Sequence, residues 1–146
     1  RLLTEAVKDF TSTLQDYPLQ IEFEEDPRSP ICQLGTLEFE LAVFNLLKNA
    51  KEALKAQKAD EPKLFIKLSS SETHCFVDIS DNGAVISDSD FERMGSVFKS
   101  GKASGLGIGL SIVRSIVQNH NGSLVLERGK NGGLVCRIRL PILNTE

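Results

Sequence analysis

The sequence predicts an α+β domain, in which helices and strand pairs come in separate runs. Three observations carry this. Residues 36–57 are apolar nearly all round at helical spacing, residues 63–68 and 74–80 read as neighbouring strands, and residues 123–127 and 133–140 flank a tight-turn signal after a second amphipathic helix. With 146 residues, 40% of them hydrophobic, the chain suits one compact unit with a core of its own.

The order of elements follows from local chemistry. Leu2, Leu3, Ala6, Val7, Phe10 and Leu14 lie at roughly helical spacing before Tyr17-Pro18, where proline ends a helix. We read residues 1–18 as the tail of an upstream helix or linker, and residues 19–146 as the domain proper. Leu19-Gln-Ile-Glu-Phe-Glu alternates like a half-buried strand, residues 26–30 form a turn, and residues 31–34 add a short extended piece. The helix over residues 36–57 carries Asn45, Asn49 and Glu52 within roughly 60° at 100° per residue, with Glu38 below them. Polar groups on an otherwise apolar helix need partners, so this stripe is expected to face a polar cleft.

Lys63-Leu-Phe-Ile-Lys-Leu and His74-Cys-Phe-Val-Asp-Ile-Ser form a hairpin, and Asp81-Asn82-Gly83 is a turn signal placed at a strand end. Residues 87–102 are poorly patterned and read as a mobile, lid-like segment with a little helix. In Gly105-Leu-Gly-Ile-Gly-Leu110, three glycines alternate with apolar residues and run into a helix that ends near Asn119-His120-Asn121-Gly122. Successive N–H groups leading into a helix start favour an anion, and phosphate is the natural one. Lys130-Asn131-Gly132-Gly133 marks the last hairpin, and Pro141 closes the domain.

Several classes are excluded. A net charge of −3 without a dense Lys/Arg cluster argues against a nucleic-acid surface. Cys32, Cys75 and Cys136 have no metal spacing and are expected to be buried free thiols in a reducing compartment. No apolar run is long enough to cross a bilayer. The start at Arg1, without an initiator Met, suggests a piece of a longer protein. A dinucleotide-binding glycine pattern from Gly105 would need glycine at Leu110. A Walker loop ending at Lys102 would need glycine at Ser96 and a hydroxyl at Ala103.

Asn45-Leu-Leu-Lys-Asn49-Ala, Asp81-Asn-Gly83, residues 98–102 and Gly105-Leu-Gly-Ile-Gly-Leu110 resemble, in order and spacing, the N, G1, F and G2 boxes of the histidine-kinase catalytic domain. The wording Asn49-Ala-Lys-Glu-Ala53 and the run from Lys102 to Ile112 are similar to the nitrogen-regulation and oxygen-sensing branch. The resemblance covers about residues 20–141. It implies the Bergerat (GHKL) ATP-binding fold shared with gyrase and mismatch-repair ATPases: a two-layer α/β sandwich whose mixed, mainly antiparallel sheet is covered on one face by about three helices.

The resemblance also implies ATP and Mg²⁺ as ligands. Asn49 would be the metal ligand and Asp81 the acceptor for the adenine amino group, with Gly83 close to the base. Gly105, Leu106, Gly107, Ile108, Gly109 and Leu110 would wrap the phosphates, with Lys102, Lys99 and Lys48 as candidate γ-phosphate cations. Lys48, Glu52, Val85 and Ile86 complete the expected nucleotide-binding set, and Asn45 and Lys102 are the catalytic candidates. In ATP-hydrolysing relatives a glutamate that activates water stands at the position of Asn45. An amide cannot take that proton, so Asn45 favours transfer to a protein acceptor.

His74 and His120 read as structural, so the resemblance places the phospho-acceptor histidine on a dimerisation domain upstream of Arg1. It further implies a response regulator as partner, a homodimer in the full-length protein with this fragment monomeric, and a cytoplasmic position for this domain, whether or not the parent is membrane-anchored. Two departures stand out: Val85 where the G1 box carries its second glycine, and Ser100-Gly101 where the lid has Thr-Thr. The competing readings are an ATPase of the same fold, a Ser/Thr regulator kinase, or a nucleotide-binding module degraded by Val85.

Overall fold

A computed structural model of the chain describes residues 2–24, 36–100 and 105–142. The described elements are α1 (Leu2–Thr11), β1 (Gln20–Glu24), α2 (Thr36–Ala56), β2 (Lys63–Ser70), β3 (His74–Asp81), α3 (Asp88–Ser100), α4 (Gly105–Asn119), β4 (Ser123–Arg128) and β5 (Leu134–Pro141). The five strands form one sheet in the order β1-β2-β3-β5-β4. Only the β1–β2 pair is parallel; the others are antiparallel. The expected two-layer sandwich with a mixed, mainly antiparallel sheet is therefore present, with four helices among the described residues. Residues 31–34, expected to be extended, and Lys102 lie outside the described residues.

Period-2 alternation explains the sheet's buried face. Cys75, Val77, Ile79 and Asp81 of β3 point inward, beside Leu64 and Ile66 of β2 and Cys136, Ile138 and Leu140 of β5. On the other face Arg137 meets its cross-strand partner Asp78 through two bonds, Nε to Oδ1 at 2.8 Å and an Nη to Oδ2 at 3.1 Å. Asp81 thus ends a strand whose inward positions are otherwise apolar.

α2 and α4 lie on this face and pack against each other, while α1 packs on α2 and α3 on α4. α2 buries Phe39, Ala42, Val43, Leu46, Leu47 and Leu54. It is less enclosed than its sequence suggests, since Leu37 is 80% exposed and Leu41 48% exposed. Both α2 and α4 end in the same way. Lys58 and Asn121 take left-handed backbones (φ 55° and 62°), and Ala59 N–H and Gly122 N–H reach back to Leu54 and Val117 carbonyls at 3.1 and 2.9 Å. The stop of α4 is where its Asn-Gly pair predicts it.

Residues 88–100 hold more helix than the sequence suggests. α3 is a 13-residue helix, capped by the Ser87 hydroxyl accepting the Asp90 N–H at 3.1 Å, with Asp88 and Asp90 in its first turn. Phe91 and Met94 supply its spacing of three toward the interior. The backbone is also helical from Gly105, so Gly105, Gly107 and Gly109 occupy the first turns of α4 rather than a preceding loop. Cysteine usage differs too: Cys136 is a buried free thiol, whereas Cys75 is buried and disulfide-bonded.

α1 belongs to the core. Ala6 and Phe10 join the buried cluster, as does Leu14 in the turn that follows, and the Phe10 ring meets Phe44 edge-on with centroids 5.9 Å apart. Phe10→Ala is expected to destabilise the domain by about 3–4 kcal/mol, read as a shift in the denaturant midpoint. A loss below about 1 kcal/mol would mean that α1 is an appendage.

Candidate functional site: a cavity between α2, α3, α4 and the strand ends

Beside the C-terminal half of α2 lies a cavity of about 420 Å³. Leu46, Ile79, Met94, Leu110 and Leu134 supply apolar wall, and Asn49 and Asp81 supply polar groups. A mostly apolar recess with a few fixed polar groups suits a flat heteroaromatic ring with an attached polar group.

Asp81 is the buried charge among the described residues, with 9% of its surface exposed. Its Oδ1 accepts the Gly83 N–H at 2.8 Å and its Oδ2 accepts the Leu134 N–H at 3.3 Å. Burial raises its pKa, and the two N–H donors pull partly the other way. Space around it is tight. A Cβ on Gly83 would lie 2.7 Å from Asp81 Oδ1 and 2.8 Å from Gln57 Oε1. Gly133 has φ +75°, and a Cβ there would stand 2.1 Å from the Asp81 carbonyl oxygen. These glycines let three backbone segments converge on one carboxylate.

Asn49 lines the same cavity, and its Nδ2 is buried without a hydrogen-bond partner. A sealed, unpaired N–H donor costs about 1–3 kcal/mol, so this Nδ2 calls for an acceptor that the described residues do not supply. Cys136 closes part of the wall. Burial, and then the Asp81 carboxylate, push its thiol up to about 12, which keeps it neutral and unreactive.

The expected polar stripe divides. Asn49 faces the cavity, but Asn45, Lys48 and Glu52 are not on its wall. Asn45 donates through Nδ2 to the Leu41 carbonyl at 2.8 Å, and Lys48 and Glu52 are exposed. The cavity lies along Leu46, Asn49, Ala50 and Ala53 of α2 and Gln57 directly after it, one side of the helix, and Glu52 points to the exposed side. Val85 lines the rim and is 80% exposed, Ile86 lines it half-buried, and Leu110 is a buried wall residue. Gly105, Leu106, Gly107, Ile108 and Gly109 lie in the first turns of α4. Among the described residues, no group of three or more His, Cys, Asp or Glu is placed to hold a metal.

Three contributors had no signal of their own in the sequence, Gln57, Leu134 and Arg128, and Gly133 was marked only as part of a hairpin turn. Leu134 follows the turn into β5, and the β3–β5 pairing, Ser80 opposite Val135, brings its N–H to Asp81. Arg128, at the end of β4, fastens the start of α3. It donates to the Ile86 carbonyl at 3.2 Å, pairs with Asp88, and sits 5.2 Å from the Phe91 ring centroid.

The comparisons agree with this architecture. The model of the histidine kinase-, DNA gyrase B- and HSP90-like ATPases matches residues 36–144. The chain is 28% identical over 141 residues to the sensor protein FixL of Bradyrhizobium diazoefficiens, covering 97% of this chain and 28% of that protein. It is 27% identical over 143 residues to sporulation kinase B of Bacillus subtilis, covering 95% and 32%. The chain thus spans less than a third of the length of these relatives. Among solved structures, the nucleotide-free catalytic domain of histidine kinase ThkA superposes with a TM-score of 0.77 at 26% identity, covering 96% of this chain and 91% of that one. The histidine kinase domain of the E. coli osmosensor EnvZ gives 0.70 at 27% identity, covering 99% and 86%. Fold, cavity and sequence therefore agree: this chain belongs to the histidine kinase-, DNA gyrase B- and HSP90-like ATPase family.

Proposed function

We propose that this chain is the ATP-binding catalytic domain of a sensor histidine kinase. It would transfer the γ-phosphate of ATP to a histidine on an upstream dimerisation domain, for relay to a response regulator. The observation that carries this reading is the presence, in one cavity wall, of the buried Asp81 carboxylate and of Asn49, whose Nδ2 has no partner. In this reading Asp81 accepts the amino N–H of adenine, while guanine would set an oxygen against it. The apolar walls from Ile79, Met94, Leu110 and Leu134 cover the ring faces. Asn49 is the residue that would hold Mg²⁺, through a neutral oxygen suited to a hard, partly hydrated cation. That ion supplies charge neutralisation on the phosphates.

The residues beyond the cavity take the remaining roles. The first turns of α4, with Gly105 to Leu110, offer unpaired N–H donors and the positive end of the helix dipole to the phosphates. Lys102 is the proposed cation over the γ-phosphate. Asn45, one turn before Asn49, carries an amide that cannot act as a general base for hydrolysis. Lys48 and Glu52 remain outer contributors on the exposed side of α2. The domain would run from about residue 19, with α1 packed onto its core as the end of an upstream helix, face the cytoplasm, and be monomeric alone while the parent protein is a homodimer.

Calorimetry with an unhydrolysable ATP analogue and Mg²⁺ tests the reading. Binding in the micromolar range is expected, with slow hydrolysis of ATP by the chain alone. A histidine-bearing helical domain supplied in trans should become phosphorylated. No binding at millimolar analogue would overturn the ATP site, and rapid turnover without an acceptor would favour an ATPase of the same fold.

A further inference from the structure

The loop that carries Asp81 is held at several points. At its base Asn82 Oδ1 accepts the Lys63 N–H and its Nδ2 donates to the Glu61 carbonyl, both at 2.8 Å. On the hairpin side the Gly133 N–H donates to the Ala84 carbonyl at 2.9 Å, next to the Leu134 N–H bond to Asp81. The tie from α2 is Gln57, whose Oε1 accepts the Ala84 N–H at 2.8 Å. Gln57 also lines the cavity, directly after the last residue of α2, and its amide lies against the bare Cα of Gly83. It stands eight residues beyond Asn49, a little over two helical turns, on the same side of the helix.

The two polar ends of the cavity therefore belong to different parts of the chain. Asn49 is fixed by α2 and Asp81 by β3 and its loop, with the Gln57–Ala84 hydrogen bond joining them. We propose that Gln57 is a positioning residue for base recognition, tying the loop of Asp81, Gly83 and Ala84 to the helix that bears Asn49. The role rests on the ATP-site reading and refines it. Without this bond the exposed Ala84 N–H turns to water, and the loop, still held to β2 and β5, loses its side-chain tie to α2 and can shift relative to it by the few tenths of an ångström that separate a good hydrogen bond from a poor one. The bond that suffers is the one from the adenine amino group to Asp81, because the apolar walls tolerate small shifts and a directional hydrogen bond does not.

Selectivity among bases reads this role, where a purely structural role would move stability or all nucleotides alike. Inosine triphosphate differs from ATP by an oxygen in place of the amino group, so it lacks the donor that Asp81 accepts. At pH 8, Gln57→Leu is expected to lower ATP affinity about tenfold, about 1.4 kcal/mol, with inosine triphosphate affinity unchanged. Gln57→Glu keeps the acceptor oxygen and should return ATP affinity to within about threefold of wild type. Because Gln57 is exposed at a helix end, both variants should melt within about 2 °C of wild type. The role is overturned if Gln57→Leu keeps the wild-type ATP-to-inosine preference, if it loses both nucleotides equally, or if Gln57→Glu behaves like Gln57→Leu. Failure of the wild-type chain to bind ATP would overturn the ATP site itself, and this role with it.

Discussion

Asp81→Asn is expected to weaken ATP binding at least about 100-fold while leaving the unfolding midpoint at pH 7 no lower than that of wild type. The loss of affinity follows from geometry. The carboxylate is already engaged by the Gly83 and Leu134 N–H groups, and its remaining lone pairs are the acceptors available at that place in the cavity. An asparagine keeps its oxygen toward Gly83 and turns an NH₂ toward the Leu134 N–H and the adenine amino group; losing the longer 3.3 Å bond is a cost that removal of the buried charge offsets. The stability side follows from the direction of the pKa shift. Burial raises the Asp81 pKa above its unfolded value, so the folded state holds the proton more tightly than the unfolded chain does. Its contribution is then most favourable below the unfolded carboxylate's pKa and is lost as pH rises through the higher folded value. The variant's advantage over wild type should be largest at neutral pH and vanish in acid, where the carboxyl is protonated in both states. Thermal unfolding of both proteins from pH 3 to pH 8 checks this. A midpoint for Asp81→Asn well below wild type at pH 7 would mean that the carboxylate holds the loop together rather than waiting for a ligand.

Part of this site is legible in the sequence because it depends on periodicity. The alternation Cys75, Val77, Ile79 continues to Asp81, so the pattern by itself marks a carboxylate at an inward strand position. Asn49 is legible as a polar residue on an apolar helix, but periodicity alone does not say which third of the stripe meets the cavity. That is set by where β3 ends and α3 crosses, and it favours Asn49 and Gln57 over Asn45 and Glu52.

Elsewhere local signals compete and the weaker one wins. The capping pair Ser87 and Asp90, with Phe91 and Met94 three apart, specifies α3, although the rest of that segment is polar and poorly patterned. Three glycines argue against helix at residues 105–109, yet burial of Leu110, Val113, Ile116 and Val117 against α2 and the sheet outweighs about 1 kcal/mol per glycine. Gln57 and Leu134 carry no such signal, because their partners lie 27 and 53 residues away and only the folded register brings them together.

Asn49→Leu is expected to raise the unfolding midpoint by about 3 °C and to abolish the gain in ATP affinity that Mg²⁺ provides. Leucine is close to asparagine in shape, and the wall around it already holds Leu46, Ala50, Ala53 and Leu110. The substitution therefore removes a buried donor with no partner without opening a void, and the unpaired Nδ2 costs about 1–3 kcal/mol. On the ligand side the variant lacks the oxygen that would reach the cation. Wild type should bind an unhydrolysable ATP analogue about 10- to 100-fold more tightly with Mg²⁺ than with a chelator present, and the variant should bind it equally in both. A lower midpoint would show that the amide has a structural partner, and a preserved Mg²⁺ effect would place the metal ligand elsewhere. Asp81 and Asn49 are thus expected to share a property that ordinary core residues lack: each is more costly to the free domain than an uncharged or apolar residue of the same shape. A chain selected only for stability would not keep an unneutralised carboxylate and an unpaired amide on the walls of one cavity, whereas a chain that must hold a nucleotide by both ends requires both.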